Sequence, residues 1–141
     1  MNLTTKARYG ISAMYDLARR YGEGPQPLRA IAQRQAAPEP YLEQLMGLLR
    51  RAGFIDTVRG ARGGYSLSRA PESIAVGDII RALEGERAPQ CVLDAPACEH
   101  ADDCVMHVLY ERVYEGVAAA LDGLSLSDLM RDTARASACG K

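Results

Sequence analysis

Residues 28–53 read Leu28-Arg29-Ala30-Ile31-Ala32-Gln33-Arg34-Gln35-Ala36-Ala37-Pro38-Glu39-Pro40-Tyr41-Leu42-Glu43-Gln44-Leu45-Met46-Gly47-Leu48-Leu49-Arg50-Arg51-Ala52-Gly53, and this stretch decides the fold. Pro27, just ahead of it, suits the first position of a helix, where its missing N–H costs nothing. The run 28–35 is a short helix, and Ala36-Ala37-Pro38-Glu39 is a turn. Pro40 opens a second helix with Tyr41, Leu42, Leu45, Leu48, Leu49 and Ala52 as its apolar side, and Gly53 ends it. Two helices joined by a turn of a few residues make a helix-turn-helix.

Working outward, residues 54–59 and 65–69 are β-like runs joined by Gly60-Ala61-Arg62-Gly63-Gly64. Tyr65 and Leu67 alternate with Ser66 and Ser68, as in a half-buried strand. The glycines allow the positive φ of a tight hairpin. A hairpin directly after a recognition helix is a wing. Upstream, residues 3–21 form a helix with Ala7, Ile11, Met14, Ala18 and Tyr21 as one stripe, capped by Thr4 or Thr5 and closed by a Gly/Pro break at 22–27. Downstream, residues 75–84 form a short helix ended by Gly85. Residues 86–102 have no period and read as a loop. Residues 103–123 form a long helix with the seam Val105, Leu109, Val113, Val117 and Ala120. Ser125-Leu126-Ser127-Asp128 starts a last short helix as a capping box, and residues 133–141 are a frayed tail. The expected fold is mainly α with a small β-hairpin.

The 141 residues are 48% hydrophobic, enough to bury a core, and 25% charged. No apolar run reaches membrane-span length, and no secretory signal precedes the first helix, so a cytoplasmic protein with no membrane partner is expected. The net charge of −1 hides an asymmetry. Residues 1–70 carry eleven basic and five acidic groups, a net of +6, and residues 71–141 carry six and thirteen, a net of −7. A basic half suits a polyanion and an acidic half suits a part held away from it. No nucleophile–base pair, phosphate loop or paired carboxylate in an apolar setting is present, so an enzyme with a small-molecule substrate is not expected.

A helix-turn-helix reads bases in the major groove, where every base pair offers a distinct pattern. The start of the second helix supplies Glu39, Pro40, Tyr41, Glu43 and Gln44. Gln44 suits adenine, and the Glu43 carboxylate suits the cytosine amino group. Arg59 and Arg62 at the glycine-rich wing tip suit a narrow minor groove. Arg8, Arg29, Arg50 and Arg51 suit phosphates.

Cysteines at 91, 98 and 104, with His107, read C-x6-C-x5-C-x2-H. Clustered cysteines in a cytoplasmic chain point to metal or redox chemistry rather than to structural disulfides. Three thiolates and an imidazole suit zinc or a [2Fe–2S] cluster. The absence of a tight C-x2–4-C pair disfavours zinc. His100, among acidic neighbours, ranks below His107, and Cys139 reads as incidental.

These segments together resemble the winged-helix transcription regulators typified by IscR, with NsrR and CymR as relatives. The resemblance rests on residues 3–10, Tyr41-Leu42-Glu43-Gln44-Leu45, the wing 58–65 and the linker 74–80, and covers residues 1–132. It implies a homodimer held by the long helix on a palindromic double-stranded operator. It also implies a [2Fe–2S] cluster on Cys91, Cys98, Cys104 and His107, operator-class discrimination by Glu43, and Arg59 in the minor groove. The first cysteine interval is one residue longer than the IscR-like spacing. The carboxylate that completes an NsrR-type site is replaced by Arg8, and the CymR branch lacks this cysteine set. The implied organisation is a DNA-binding region at 1–70, a linker helix at 71–88, a cysteine-rich loop at 89–107, a dimerisation helix plus C-terminal helix at 103–132, and a flexible tail at 133–141. The function expected is a cluster- or redox-sensing repressor or activator. The alternatives are a metal-free thiol regulator and a protein-interaction module that binds a metabolic enzyme.

Overall fold

Thr4 starts the fold as the residues predict: its hydroxyl accepts the Ala7 N–H at 3.1 Å and caps α1 (Thr5–Arg19). The computed structural model describes residues 3–86 and 104–140. After α1 come α2 (Leu28–Gln35), α3 (Glu39–Arg51), β1 (Ile55–Val58), β2 (Gly64–Leu67), a 3₁₀ turn at Pro71–Ser73, α4 (Val76–Glu84), α5 (Val105–Asp122) and α6 (Leu126–Cys139). The mainly helical fold with one small hairpin is the one expected.

α1 ends two residues earlier than its apolar stripe suggested. The Arg20 N–H closes the last turn on Leu17 and Ala18, Gly22 takes a φ of 86°, and Tyr21 is left 52% exposed instead of facing the core. The α1 face that is buried carries Ala7, Gly10, Ala13, Met14, Leu17 and Ala18. It meets Ile31 of α2, Leu42, Leu45, Met46 and Leu49 of α3, Ile79 and Leu83 of α4, and Phe54 and Ile55 at the hairpin. The side chain missing at Gly10 lets α4 approach, since a Cβ there would lie 2.2 Å from a Leu83 methyl.

The turn between α2 and α3 is made by Ala36 in the left-handed region, φ 49°. β1 and β2 pair antiparallel in the register Ile55↔Leu67 to Val58↔Gly64. A third short strand position adds to them. Gln26 exchanges both backbone hydrogen bonds with Tyr65, each at 2.8 Å. Its neighbours Pro25 and Pro27 have no N–H to offer a further strand on the outer edge.

The C-terminal helix differs from expectation in length. α6 runs through residues 133–139, expected as tail. The Ser125–Asp128 capping box is formed in both directions, and Ala134, Ala136 and Ala138 are strong helix formers. α6 also packs back on the first half of the chain. Leu126 is fully buried in the same cluster as α1–α4, with Leu129 and Met130 partly buried against it. Backbone bonds from Val76 N–H to the Leu124 carbonyl (2.8 Å) and from Leu126 N–H to the Ile74 carbonyl (3.0 Å) seat its start beside α4. Among the described residues no helix is long and apolar enough to cross a membrane.

Candidate nucleic-acid interface and cysteine edge

α3 divides by its helical period into two faces. Leu42, Leu45, Met46 and Leu49 are buried. Glu39, Pro40, Glu43, Gln44, Arg50 and Arg51 are exposed on the other side. Pro40 sits in the first turn, where the helix needs no N–H from it. Tyr41 lies between the faces, half-buried, with its ring edge-on to Tyr9 of α1 at 5.9 Å and 76°. That contact pins the start of α3 to α1. Arg50 reaches Thr57 Oγ1 at 3.4 Å, so the other end of α3 touches the wing.

Not every arginine of the basic half is free. Asp16 is buried, and it accepts Arg20 at 2.8 Å and Arg34 in a two-pronged contact at 2.7 and 3.0 Å. A buried carboxylate requires such pairing; Arg34 thereby ties α2 to α1, while Arg20 closes back on its own helix, and neither faces a ligand. Arg69 stacks over the Phe54 ring at 5.0 Å. By contrast, Arg8, Arg29, Arg51, Arg59 and Arg62 are exposed and form no ion pair with any described residue. The residues named from sequence as DNA contacts therefore include the arginines without an ion pair among the described residues, and the pairing of Asp16 with Arg34, 18 positions away, is set by the tertiary fold.

The wing tip is held open by its backbone. Gly60 has φ 109° and accepts from the Gly63 N–H at 3.0 Å. A Cβ at Gly63 would stand 2.0 Å from the Val58 carbonyl oxygen, and one at Gly64 (φ 151°) would stand 2.2 Å from that of Gln26. Arg59 and Arg62 thus project from a hairpin that only glycine can close at these positions.

Cys104 is the N-cap of α5, half-exposed and unpaired, and its carbonyl accepts the His107 N–H at 3.0 Å. His107 Nε2 lies 3.4 Å from Glu111 Oε1, a carboxylate of the kind that orients a ligating imidazole. Cys91, Cys98 and His100 lie outside the described residues. Among the described residues no three potential ligands gather into a metal site. The described pair fits a cluster by its donor types: a cysteine sulfur at the start of α5 and a half-exposed imidazole one turn further on.

α5 itself buries no residue, with Val105 77%, Leu109 51% and Val113 53% exposed. Its far end is anchored. Arg81 of α4 donates to Asp122 at 2.7 Å and to Asp78 at 2.6 Å, and these bonds raise its already high pKa. Gly77 admits the Asp122 side chain, since a Cβ would fall 2.0 Å from it. Thr4 at the start of α1 also hydrogen-bonds Glu84 at the end of α4.

Comparison with known proteins agrees with this arrangement. A family model, Rrf2, described as an iron-dependent transcriptional regulator, matches residues 3–132. The HTH-type transcriptional regulator CymR of Bacillus subtilis is 43% identical over 92% of this chain and 89% of its own length. The HTH-type transcriptional regulator IscR of Aliivibrio salmonicida is 42% identical over 94% and 79%. The structure of T. potens IscR superposes with a TM-score of 0.78 at 43% identity, over 94% of this chain and 88% of that one. Overall identity does not separate the CymR and IscR branches, and these relatives are named as regulators, not enzymes. The chain belongs to the Rrf2 family of transcriptional regulators.

Proposed function

We propose that two copies of this chain join through the exposed face of α5 and read a palindromic double-stranded DNA operator in the cytoplasm. α3 of each copy enters a major groove, with Glu43 and Gln44 toward base edges and Pro40 and Tyr41 at its entry. Arg59 and Arg62 of each wing reach the adjoining minor groove. Arg8, Arg29, Arg50 and Arg51 meet phosphates. The observation that carries this reading is the α3 face itself: exposed polar groups backed by a buried apolar face, flanked by arginines that form no ion pair with any described residue. Glu43 sits in this basic surround as a specificity element. It favours a facing cytosine and repels phosphate elsewhere.

We propose further that the chain senses iron–sulfur status through Cys91, Cys98, Cys104 and His107. When bound, a [2Fe–2S] cluster supplies an iron centre responsive to oxidation and to iron supply. Ligation joins the first turn of α5, through Cys104 and His107, to the segment after α4, through Cys91 and Cys98. Arg81 and Asp122 tie the other end of α5 to α4, and α4 packs on α1 and α3. A change in how α5 is held thus reaches the reading helices through these contacts. The iron-dependent description of the family and the donor set both support this reading. The half-exposed free thiol of Cys104 also favours a second reading, a metal-free thiol switch.

Two measurements on anaerobically purified protein test these proposals. Visible absorption with about one cluster per chain supports ligation, and colourless, iron-free protein leaves the thiol switch. Duplex binding that weakens steeply with salt, with a log–log slope of several units, supports DNA recognition, and salt-insensitive or absent binding refutes it. Equal affinity for every duplex with and without cluster refutes sensing.

A further inference from the structure

Four glycines sit inside helices on both sides of the molecule, at positions 10, 47, 77 and 116. None has the positive φ that would require glycine. A glycine there weakens a helix relative to alanine, so each calls for a reason. Gly10 and Gly77 have one within the chain, because a Cβ would strike Leu83 at 2.2 Å or Asp122 at 2.0 Å. Gly47 and Gly116 have none among the described residues: a Cβ built at either meets nothing within 4 Å. Gly116 lies on the α5 face assigned above to a second copy. Gly47, itself half-buried, lies by helical period in the middle of the α3 face that carries Glu43 and Gln44 one turn before it and Arg50 and Arg51 one turn after it.

We infer that Gly47 sets how deeply α3 seats in the major groove, so that the helix backbone, and not a side chain, meets the bases at the centre of the contact. This inference rests on the DNA-reading proposal above. The physical case is one of clearance. Side chains set the distance of a helix from the surface it meets, and glycine is the residue that lets backbone approach another surface most closely. Glu43 and Gln44 have short reach compared with arginine, so they contact base edges only if the helix lies close. A methyl at position 47 lifts the centre of α3 and lengthens both contacts. Phosphate contacts from Arg50, Arg51 and the wing come from longer, flexible side chains and tolerate that lift.

The test uses the full-length protein with two substitutions, Gly47→Ala and Gly47→Leu, each a better helix former than glycine. The probes are a labelled duplex of about 30 base pairs selected from a random pool on the parent protein, and an unselected duplex of the same length. The expected result is a higher melting temperature for both variants. Affinity for the selected duplex should fall about tenfold for Ala and further for Leu, with little change on the unselected duplex. A merely structural role would lower the melting temperature, or weaken both duplexes alike, and overturns the inference. Unchanged affinity for the selected duplex overturns it too. If the parent selects no duplex, the DNA-reading proposal itself fails, which is a separate outcome from a parent that binds and variants that bind equally well.

Discussion

The unit of residues 3–86 and the helix α5 are both rich in apolar residues, yet they end in opposite states. In the first, α1, α3, α4 and the hairpin bury Met14, Leu42, Leu45, Met46, Leu49, Ile55 and Ile79 in one cluster. In the second, an 18-residue helix buries nothing, and Val105, Leu109 and Val113 remain at least half exposed. A soluble monomer rarely leaves a contiguous apolar helix face uncovered. The first unit completes its core within one chain, whereas the apolar face of α5 stays exposed, which is why we assign it to a second copy. The neighbouring α6 sharpens the contrast. Also beyond the cysteine segment, it contributes Leu126 to the core of the first unit. Position in the chain therefore does not divide the molecule into a folded half and an appendage; the division runs between α5 and the rest.

The strongest way to break this comparison is to charge the exposed face. Leu109→Glu with Val113→Glu should dissociate the proposed dimer in sedimentation and cost selected-duplex affinity about 100-fold or more, as expected when two linked half-sites are separated. The circular dichroism of the remaining fold should persist. A double variant that stays dimeric would remove α5 from the interface. Next in size, Leu126→Ala should destabilise the fold by about 2–5 kcal/mol, the range for emptying a buried leucine site. Val105→Ala in the dissociated variant should shift it by no more than about 0.5 kcal/mol. Denaturant midpoints measure both, and similar values would erase the distinction.

The smallest effect concerns the seat of α6. Hydrogen bonds from the Ser125 backbone and hydroxyl, with Arg131 adding its charge, hold the Asp128 carboxyl below the ordinary carboxylate range. A carboxyl whose pKa is lowered in the folded state adds stability above its unfolded pKa and loses it as pH falls through the folded value. Asp128→Asn should therefore lower the melting temperature modestly at neutral pH, and the gap to the parent should close in acid. A gap that widens in acid would mean the capping box does not anchor α6.

Much of the fold was legible because its signals are local. Pro27, Pro40, Gly53 and the glycines of the wing dictate φ or a missing N–H at their own positions, and Ser125 and Asp128 carry their cap in four consecutive residues. Tyr21 was misassigned to the α1 stripe because a hydrophobic period does not announce where the helix stops. The Gln26–Tyr65 pair was missed because one strand residue between two prolines has no period. The candidate site was legible in residue type, with Glu43, Gln44, Arg59 and Arg62 exposed where expected. The Asp16–Arg34 arm of the clamp was not, since it joins two different helices 18 residues apart.

By itself, the sequence determined which elements form, where glycine and proline punctuate them, and which half carries the basic charge. These follow from backbone preferences and residue chemistry that act over a few positions. Only the tertiary structure decided that Arg34 and Arg20 are occupied by a buried carboxylate, that Leu126 completes a core begun at Ala7, and that a Cβ at position 47, unlike one at 10 or 77, would meet no described residue within 4 Å. Each depends on which surfaces come together in space, and a linear pattern leaves that open because burial and pairing join residues far apart along it.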